Sequence, residues 1–150
     1  MKKINISFPQ YQFRIERRNS IEYIFDSLRK KFVALTPEEY VRQTLIKYLI
    51  QEKQYSRSFI AVEMAINFNS MIKRCDVVVF NKDGKPWLIA ECKAPSVKIT
   101  QKTFDQVARY NLTLKVNYLL VTNGHEIYCC KIDFDKNSFT MLDDIPSQVL

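Results

Sequence analysis

Glycine is nearly absent: the 150 residues contain two, Gly84 and Gly124. A phosphate-cradling G-x-x-x-x-G-K-[ST] loop needs two glycines at close spacing and a G-x-G-x-x-G fingerprint needs three, so neither an ATP motor nor a dinucleotide site is built from these residues. Histidine is scarcer still, with His125 alone. One imidazole, beside no partnered Ser or Cys nucleophile, is a poor basis for a catalytic triad. The four cysteines (Cys75, Cys92, Cys129, Cys130) form no C-x-x-C pair. A zinc site therefore lacks ligands at recognisable spacing, and buried, reduced thiols are expected. No apolar run approaches the roughly 20 residues of a membrane span. The opening MKKINISFPQYQF carries charge at its front with no apolar run or small-residue cleavage site behind it. A cytoplasmic protein without a membrane partner is expected.

Acid is the minority charge, with 16 Asp plus Glu against 23 Lys plus Arg, a net +7. Such a surplus favours an anionic partner, most commonly nucleic acid, with excess lysine on a solvated surface as the plainer explanation. The length suits one domain with a real core.

Residues 21–33 (IEYIFDSLRKKFV) have mixed helical spacing and a basic LRKK cluster, and the first thirty-five residues are the least regular. Thr36-Pro37-Glu38-Glu39 marks a helix start: Thr36 can cap, Pro37 suits the first helical position, and Glu39 stands where a capping box wants a carboxylate. Val41, Leu45, Tyr48 and Leu49 give that helix, residues 37 to about 53, one apolar face. FIAVEMAI then alternates Ala61, Glu63 and Ala65 with Val62, Met64 and Ile66, a half-buried strand in which Glu63 could face the cluster of carboxylates but a solvated strand carboxylate is the favoured reading. CDVVVF and WLIAECKA follow, joined through an Asp83-Gly84 turn. A helix from about Thr103 to Lys115 leads to YLLVT, an Asn123-Gly124 turn and EIYCCKI. The expected fold class is α/β, a mixed sheet of about five strands flanked by helices.

WLIAECKA looks like a core strand, yet it carries Glu91 and Lys93 two residues apart. A two-residue turn at Asp83-Gly84 sets Lys82 opposite Lys85, Phe80 opposite Trp87, Val78 opposite Ile89 and Asp76 opposite Glu91, with Cβ atoms about 4.5–5.5 Å apart. A four-residue loop with the same centre keeps this pairing, and an odd loop breaks it. Opposed carboxylates need a compensating cation, and a hard divalent metal is the natural one. Lys93 projects from the same face and can polarise a water or neutralise a phosphate. The plainer alternative, an exposed face of ordinary charges, is opposed by Trp87, Ile89, Val78 and Phe80 on that face. In this register Cys75 and Cys92 oppose each other on the other face, where a disulfide is conceivable and paired thiols are favoured.

Asp76 followed across a hairpin by Glu91-Cys92-Lys93 resembles the D…E-x-K core of the PD-(D/E)xK, or restriction-endonuclease-like, nuclease superfamily. With TPEEYVRQ at 36–43, ECKAP at 91–95, FDQVARYN at 104–111 and LVTNG at 120–124, the chain resembles the N-terminal nuclease domain of the R (motor) subunit of type I restriction enzymes. The resemblance spans about residues 21–132 of a single nuclease-like domain, with 1–20 and 133–150 as peripheral extensions. It implies a restriction-endonuclease-like fold and a Mg2+-dependent deoxyribonuclease, with Mn2+ as a possible substitute, that leaves 5′-phosphate and 3′-hydroxyl ends. Asp76 and Glu91 would hold the metal with the Cys92 carbonyl as a further ligand, and Lys93 would activate the attacking water. Glu39 matches an additional acidic position of the superfamily, though a capping-box role accounts for it equally well. Gln106 and Tyr110 match a Q-x-x-x-Y motif that holds DNA, with Arg109 alongside; a second capping box and simple packing are the alternatives there. Lys73, Arg74, Lys98 and Lys102 would add phosphate contacts.

Two departures accompany the resemblance. Cys75 stands where the family name has proline, and the motor segments of type I enzymes lie outside these 150 residues. If the chain is complete it is a stand-alone relative whose role need not be restriction. The expected partners are DNA, a motor or targeting subunit, and a second copy of the chain, since cutting both strands ordinarily takes two sites. A non-catalytic or partner-dependent DNA-binding or assembly module is the rival expectation, and RNA as substrate is left open.

Overall fold

The structure is a computed structural model describing residues 1–68 and 70–148, with the side chains of all of these except Phe68, Met71, Tyr110 and Thr113. Among the described residues two sheets and two α-helices form. The first sheet is an antiparallel meander of β1 (Ile15–Arg18), β2 (Ile21–Asp26) and β3 (Lys31–Ala34). After it come α1 (Pro37–Gln51), a 3-10 turn at Arg57–Phe59, then β4 (Ile60–Phe68), β5 (Met71–Phe80) and β6 (Pro86–Cys92). Then follow α2 (Gln101–Leu114), β7 (Tyr118–Thr122), β8 (Ile127–Asp133) and β9 (Ser138–Met141). The second sheet has the order β4-β5-β6-β7-β8-β9. Only β6 and β7 pair in parallel, because α2 carries the chain back between them as a crossover connection. The result is a mixed α/β fold of the restriction-endonuclease-like kind, with six strands in the main sheet where about five were expected.

Residues 21–33, whose spacing looked mixed and helical, are β2 and β3. Cross-strand contacts explain the difference, since Phe25 pairs with Phe32 in register with ring centroids 5.3 Å apart. The Arg14 guanidinium lies 5.4 Å and 5.2 Å from those two rings, and Arg18 covers Tyr23 and Phe32. Such pairs stabilise a sheet without leaving a period along the chain.

The expected helix start forms: Thr36 Oγ1 accepts from the Glu39 N–H at 3.0 Å with Pro37 in the first turn. Val41, Leu45, Ile46 and Leu49 of α1 pack on Val77, Leu88, Ala90, Leu120 and Ile127 of the sheet. On α2, Thr100 caps the Thr103 N–H at 3.1 Å, and Phe104 and Ala108 bury against Leu119, Val121, Tyr128 and Cys130. Helix cover on both faces is what lets β6 and β7 be almost continuously apolar.

The β5–β6 hairpin departs from the expected turn and still reaches the expected register. Phe80 pairs with Pro86, so Asn81–Lys85 is a five-residue loop in which the Asn81 N–H donates to the Lys85 carbonyl at 2.8 Å. Lys82 and Lys85 therefore sit in the loop. A loop of odd length would misalign the strands, but an irregularity between Val79 and Phe80 compensates, and Val79↔Leu88, Val78↔Ile89 and Val77↔Ala90 follow. The same irregularity turns Trp87 into the α1-side cluster with Leu88, away from Ile89, which packs with Val78, Leu114 and Val116. Cys92 lies in the first of these clusters and Cys75 in the second, so they do not face each other; all four thiols are free and buried. Burial raises the Cys75 thiol to about 11 and the Cys130 thiol to about 12, leaving them protonated and inert near neutrality.

Candidate active site

The β5–β6 pairing ends at Val77↔Ala90, and Asp76 and Glu91 are the next residues outward. Asp76 Oδ2 accepts from the Cys92 N–H at 2.7 Å, which ties its carboxylate to the backbone between Glu91 and Lys93. Glu91 is largely buried. Burial raises its carboxyl above the ordinary value; Lys73, whose Nζ stands 2.6 Å from Glu91 Oε1, opposes that rise, and the neighbouring Asp76 charge adds to it. Lys93 follows β6 directly, its N–H bonded to the Thr122 carbonyl at 2.8 Å. Its half-buried ammonium makes no ion pair or hydrogen bond among the described residues.

Arg42 joins this pair of carboxylates to others. Its side chain is only 6% exposed, and it meets Asp76 at 3.4 Å, Glu63 at 3.0 Å, Glu39 at 3.5 Å and Glu38 at 3.9 Å. Its Nε and Nη1 lack an aligned hydrogen bond among the described residues, so charge rather than directional bonding holds the guanidinium. Arg29 forms a second node, meeting Asp26 at 2.5 Å, Glu39 at 2.8 Å and Glu63 at 3.2 Å. Gln43 donates to Asp26 at 3.0 Å and to Glu39 at 3.2 Å. Burial works against the Asp26 charge, but hydrogen bonds from the Arg29 backbone and guanidinium and from Gln43 outweigh it and hold the carboxyl below its usual value.

Several expectations change here. Glu39 is not half of a reciprocal capping box: Thr36 caps its N–H, while its carboxylate turns inward to Arg29, Arg42 and Gln43. Glu63, although 38% exposed, is not a free carboxylate in solvent but a member of the same network, held below its usual range chiefly by the Arg42 guanidinium 3.0 Å away despite some burial. Its backbone has φ +51° in the middle of β4, a left-handed conformation that costs an L-residue about 1–2 kcal/mol. It occurs where β4 passes Asp76, between Val62↔Val77 and Met64↔Cys75. Strain of this kind concentrates at functional sites. Lys73, expected to contact phosphate, holds Glu91, and the mostly exposed Arg74 meets Glu63 at 3.6 Å.

Of the remaining expected residues, Lys98 is exposed in the loop before α2 and the others lie on α2. Lys102, Gln106 and Arg109 are exposed and, with Gln101 and Asp105, line a shallow cleft of about 460 Å3. Among the described residues none of them bonds to the carboxylate network; the Tyr110 side chain lies outside the described residues. Sequence reasoning passed over Arg42, Arg29, Asp26, Gln43 and the true role of Lys73. Glu39, Arg42 and Gln43 stand at i, i+3 and i+4 on α1, a spacing that would have shown a shared polar face.

The donors around Asp76 are hard oxygens, which suit a hard divalent cation. In this structure arginine and lysine serve as their counter-ions, and among the described residues no three His, Cys, Asp or Glu side chains stand together as a metal site. No helix among the described residues is long and apolar enough to cross a membrane. A search of curated proteins matched none to this chain. The family model for the type I restriction enzyme R protein N terminus matches residues 37–146, a segment that holds both helices, all six strands of the main sheet and every carboxylate of the site except Asp26. On that match the chain belongs to the family of type I restriction enzyme R protein N termini, a restriction-related, nuclease-like domain.

Proposed function

We propose that this protein is a divalent-metal-dependent deoxyribonuclease of the PD-(D/E)xK type. The observation that carries the reading is the convergence of Asp76 and Glu91 where one strand pairing ends, with the unpartnered Lys93 two residues beyond. A buried carboxylate whose charge is disfavoured by a second one beside it is a site that gains from a cation. Magnesium held by Asp76, Glu91 and the Cys92 carbonyl, with manganese as a substitute, would supply Lewis-acid stabilisation and a more acidic water.

The chain's own residues do the rest. The Cys92 N–H orients Asp76, and Arg42 holds that carboxylate from the α1 side. Lys93 directs the attacking water or pairs with a non-bridging phosphate oxygen, and in-line attack leaves a 5′-phosphate and a 3′-hydroxyl. Lys73, which holds Glu91 in this structure, would pair with phosphate where Glu91 serves as a metal ligand. Glu39, tied down by Arg29 and Arg42, positions the network. Lys102, Gln106, Tyr110 and Arg109 on α2, with Arg74, track the DNA backbone, contacts that set position rather than sequence. As a member of an R protein family, the domain would act on DNA beside a motor or targeting subunit, and as a pair of copies to cut both strands.

Cleavage of supercoiled plasmid at low salt with Mg2+ or Mn2+ tests the reading. Wild type should nick or linearise the plasmid, and Asp76→Ala and Lys93→Ala should not. No cleavage by wild type under either metal would sink it. One observation favours the alternative of a DNA-binding or assembly module: Arg42 and Lys73 already neutralise the carboxylates. That alternative predicts salt-sensitive DNA binding without cleavage.

A further inference from the structure

A second concavity, about 320 Å3, has α1 on one side and residues of the N-terminal meander on the other. Phe13, Arg14, Phe25, Lys47 and Arg57 line it, with Ile46 beneath them in the sequence of α1. No carboxylate lines it, and among the described residues none of its three cations has an ion pair. Each is instead held by a ring or a carbonyl. Arg14 lies over Phe25, and Lys47 lies 4.8 Å from the Phe13 centroid while donating to the Gln12 carbonyl at 2.9 Å. Arg57 donates to the Ser27 carbonyl at 3.1 Å. By contrast Arg29, Arg42, Lys73 and Arg74 all meet carboxylates. The pocket therefore offers three positioned positive charges outside any ion pair among the described residues, with Glu16 near enough to Arg14 to feel its charge, beside two aromatic rings.

A ligand matched to these features has a flat ring to lie against phenylalanine and an anion to meet the cations. The volume is at the small end of ligand pockets, about 300–1,000 Å3, which suits one ring system with its sugar rather than a length of strand. We infer that this pocket binds a single nucleotide unit, its base against Phe13 and Phe25 and its phosphate among Arg14, Lys47 and Arg57. The site stands apart from Asp76 and Glu91 and does not depend on their holding a metal. Phe13, Arg14, Phe25 and Ser27 precede the segment that matches the family, while Gln43, Lys47 and Arg57 lie within it, so the pocket joins α1 and the turn after it to this chain's own N-terminal segment. Gln43, which also lines it, donates to Glu39 and Asp26, so an occupant sits one side chain away from the carboxylate network.

The same chemistry is available from a free mononucleotide and from one nucleotide of a single strand. Isothermal titration in EDTA, where no hydrolysis competes, would compare dAMP, an eight-residue oligodeoxythymidine and inorganic phosphate. The proteins would be wild type, Arg57→Gln, Lys47→Gln and the loop control Lys82→Gln, each first shown by thermal unfolding to be folded. Binding should weaken about tenfold or more in Arg57→Gln and in Lys47→Gln, and be unchanged in Lys82→Gln. Weakening of both dAMP and the oligonucleotide assigns the pocket to free nucleotides as well as strands. Weakening of the oligonucleotide alone assigns it to a strand. Binding of both ligands that ignores the two variants, binding of neither ligand, or phosphate binding as tight as dAMP, would overturn the inference. Cleavage is not measured, so a failure of the nuclease reading leaves this result intact.

Discussion

Replacing Arg42 with methionine removes the guanidinium while keeping most of the side-chain bulk. Four carboxylates then lose a counter-ion, but they do not count equally. Glu39 and Asp76 have side chains only 8% and 17% exposed, whereas Glu38 and Glu63 are 48% and 38% exposed. Removing one partner of a buried pair costs about 3–5 kcal/mol, because the remaining charge stays desolvated. Arg29 still holds Glu39 and Glu63, and two Arg42 nitrogens make no aligned hydrogen bond, so the lower end of that range, about 3 kcal/mol, is expected. Arg74 is the internal control: its side chain is 69% exposed and it meets Glu63 alone, so Arg74→Met should cost no more than about 1 kcal/mol. Urea unfolding in EDTA at neutral pH measures both. Adding Mn2+ should recover more stability in Arg42→Met than in wild type, since the ion replaces a lost positive charge. A loss in Arg42→Met within about 0.5 kcal/mol of that in Arg74→Met would refute the claim that this guanidinium holds the carboxylates together.

Asp26, whose carboxyl is held below its usual value, contributes stability that is present above the ordinary carboxylate pKa, about 3.9, and is lost as pH falls through its lower folded value. Asp26→Asn should therefore lower stability at pH 7 and flatten the fall of unfolding free energy in acid, both readable from urea midpoints across a pH series. Gly124 has φ +91°, and an added Cβ would stand 3.3 Å from Val41 Cγ2. Gly124→Ala should cost about 1–2 kcal/mol from backbone strain plus any shift of Val41, while Gly84→Ala, at φ +76° in open space, should cost the strain alone. Thr36→Ala should cost about 1 kcal/mol through loss of the α1 cap, seen as a lower urea midpoint.

The parts of this fold that were legible in the sequence are those where local chemistry decides. Thr36-Pro37 announced α1, the Asp83-Gly84 turn announced the β5–β6 hairpin, and their alternation brought Asp76 to Glu91. The hairpin loop was misjudged in length, yet the irregularity between Val79 and Phe80 restored the register, which keeps Val77 and Val79 in the cluster under α1 and Val78 with Ile89 in the one on the other face. What stayed hidden depends on contacts between distant segments. The meander rests on aromatic and guanidinium partners across strands, and the roles of Arg29 and Asp26 exist only once residues 26–29 meet α1. Glu63 was misjudged because alternation assumes extended backbone, and its φ of +51° breaks that assumption.

The most direct test of the central claim is a Mn2+ titration followed by electron paramagnetic resonance on wild type, Asp76→Asn and Lys93→Ala. The account predicts one tight site in wild type, loss of that site in Asp76→Asn, and its retention in Lys93→Ala, since Lys93 acts on water and phosphate rather than on the ion. Equal Mn2+ binding by wild type and Asp76→Asn, or no tight site in wild type, would contradict it.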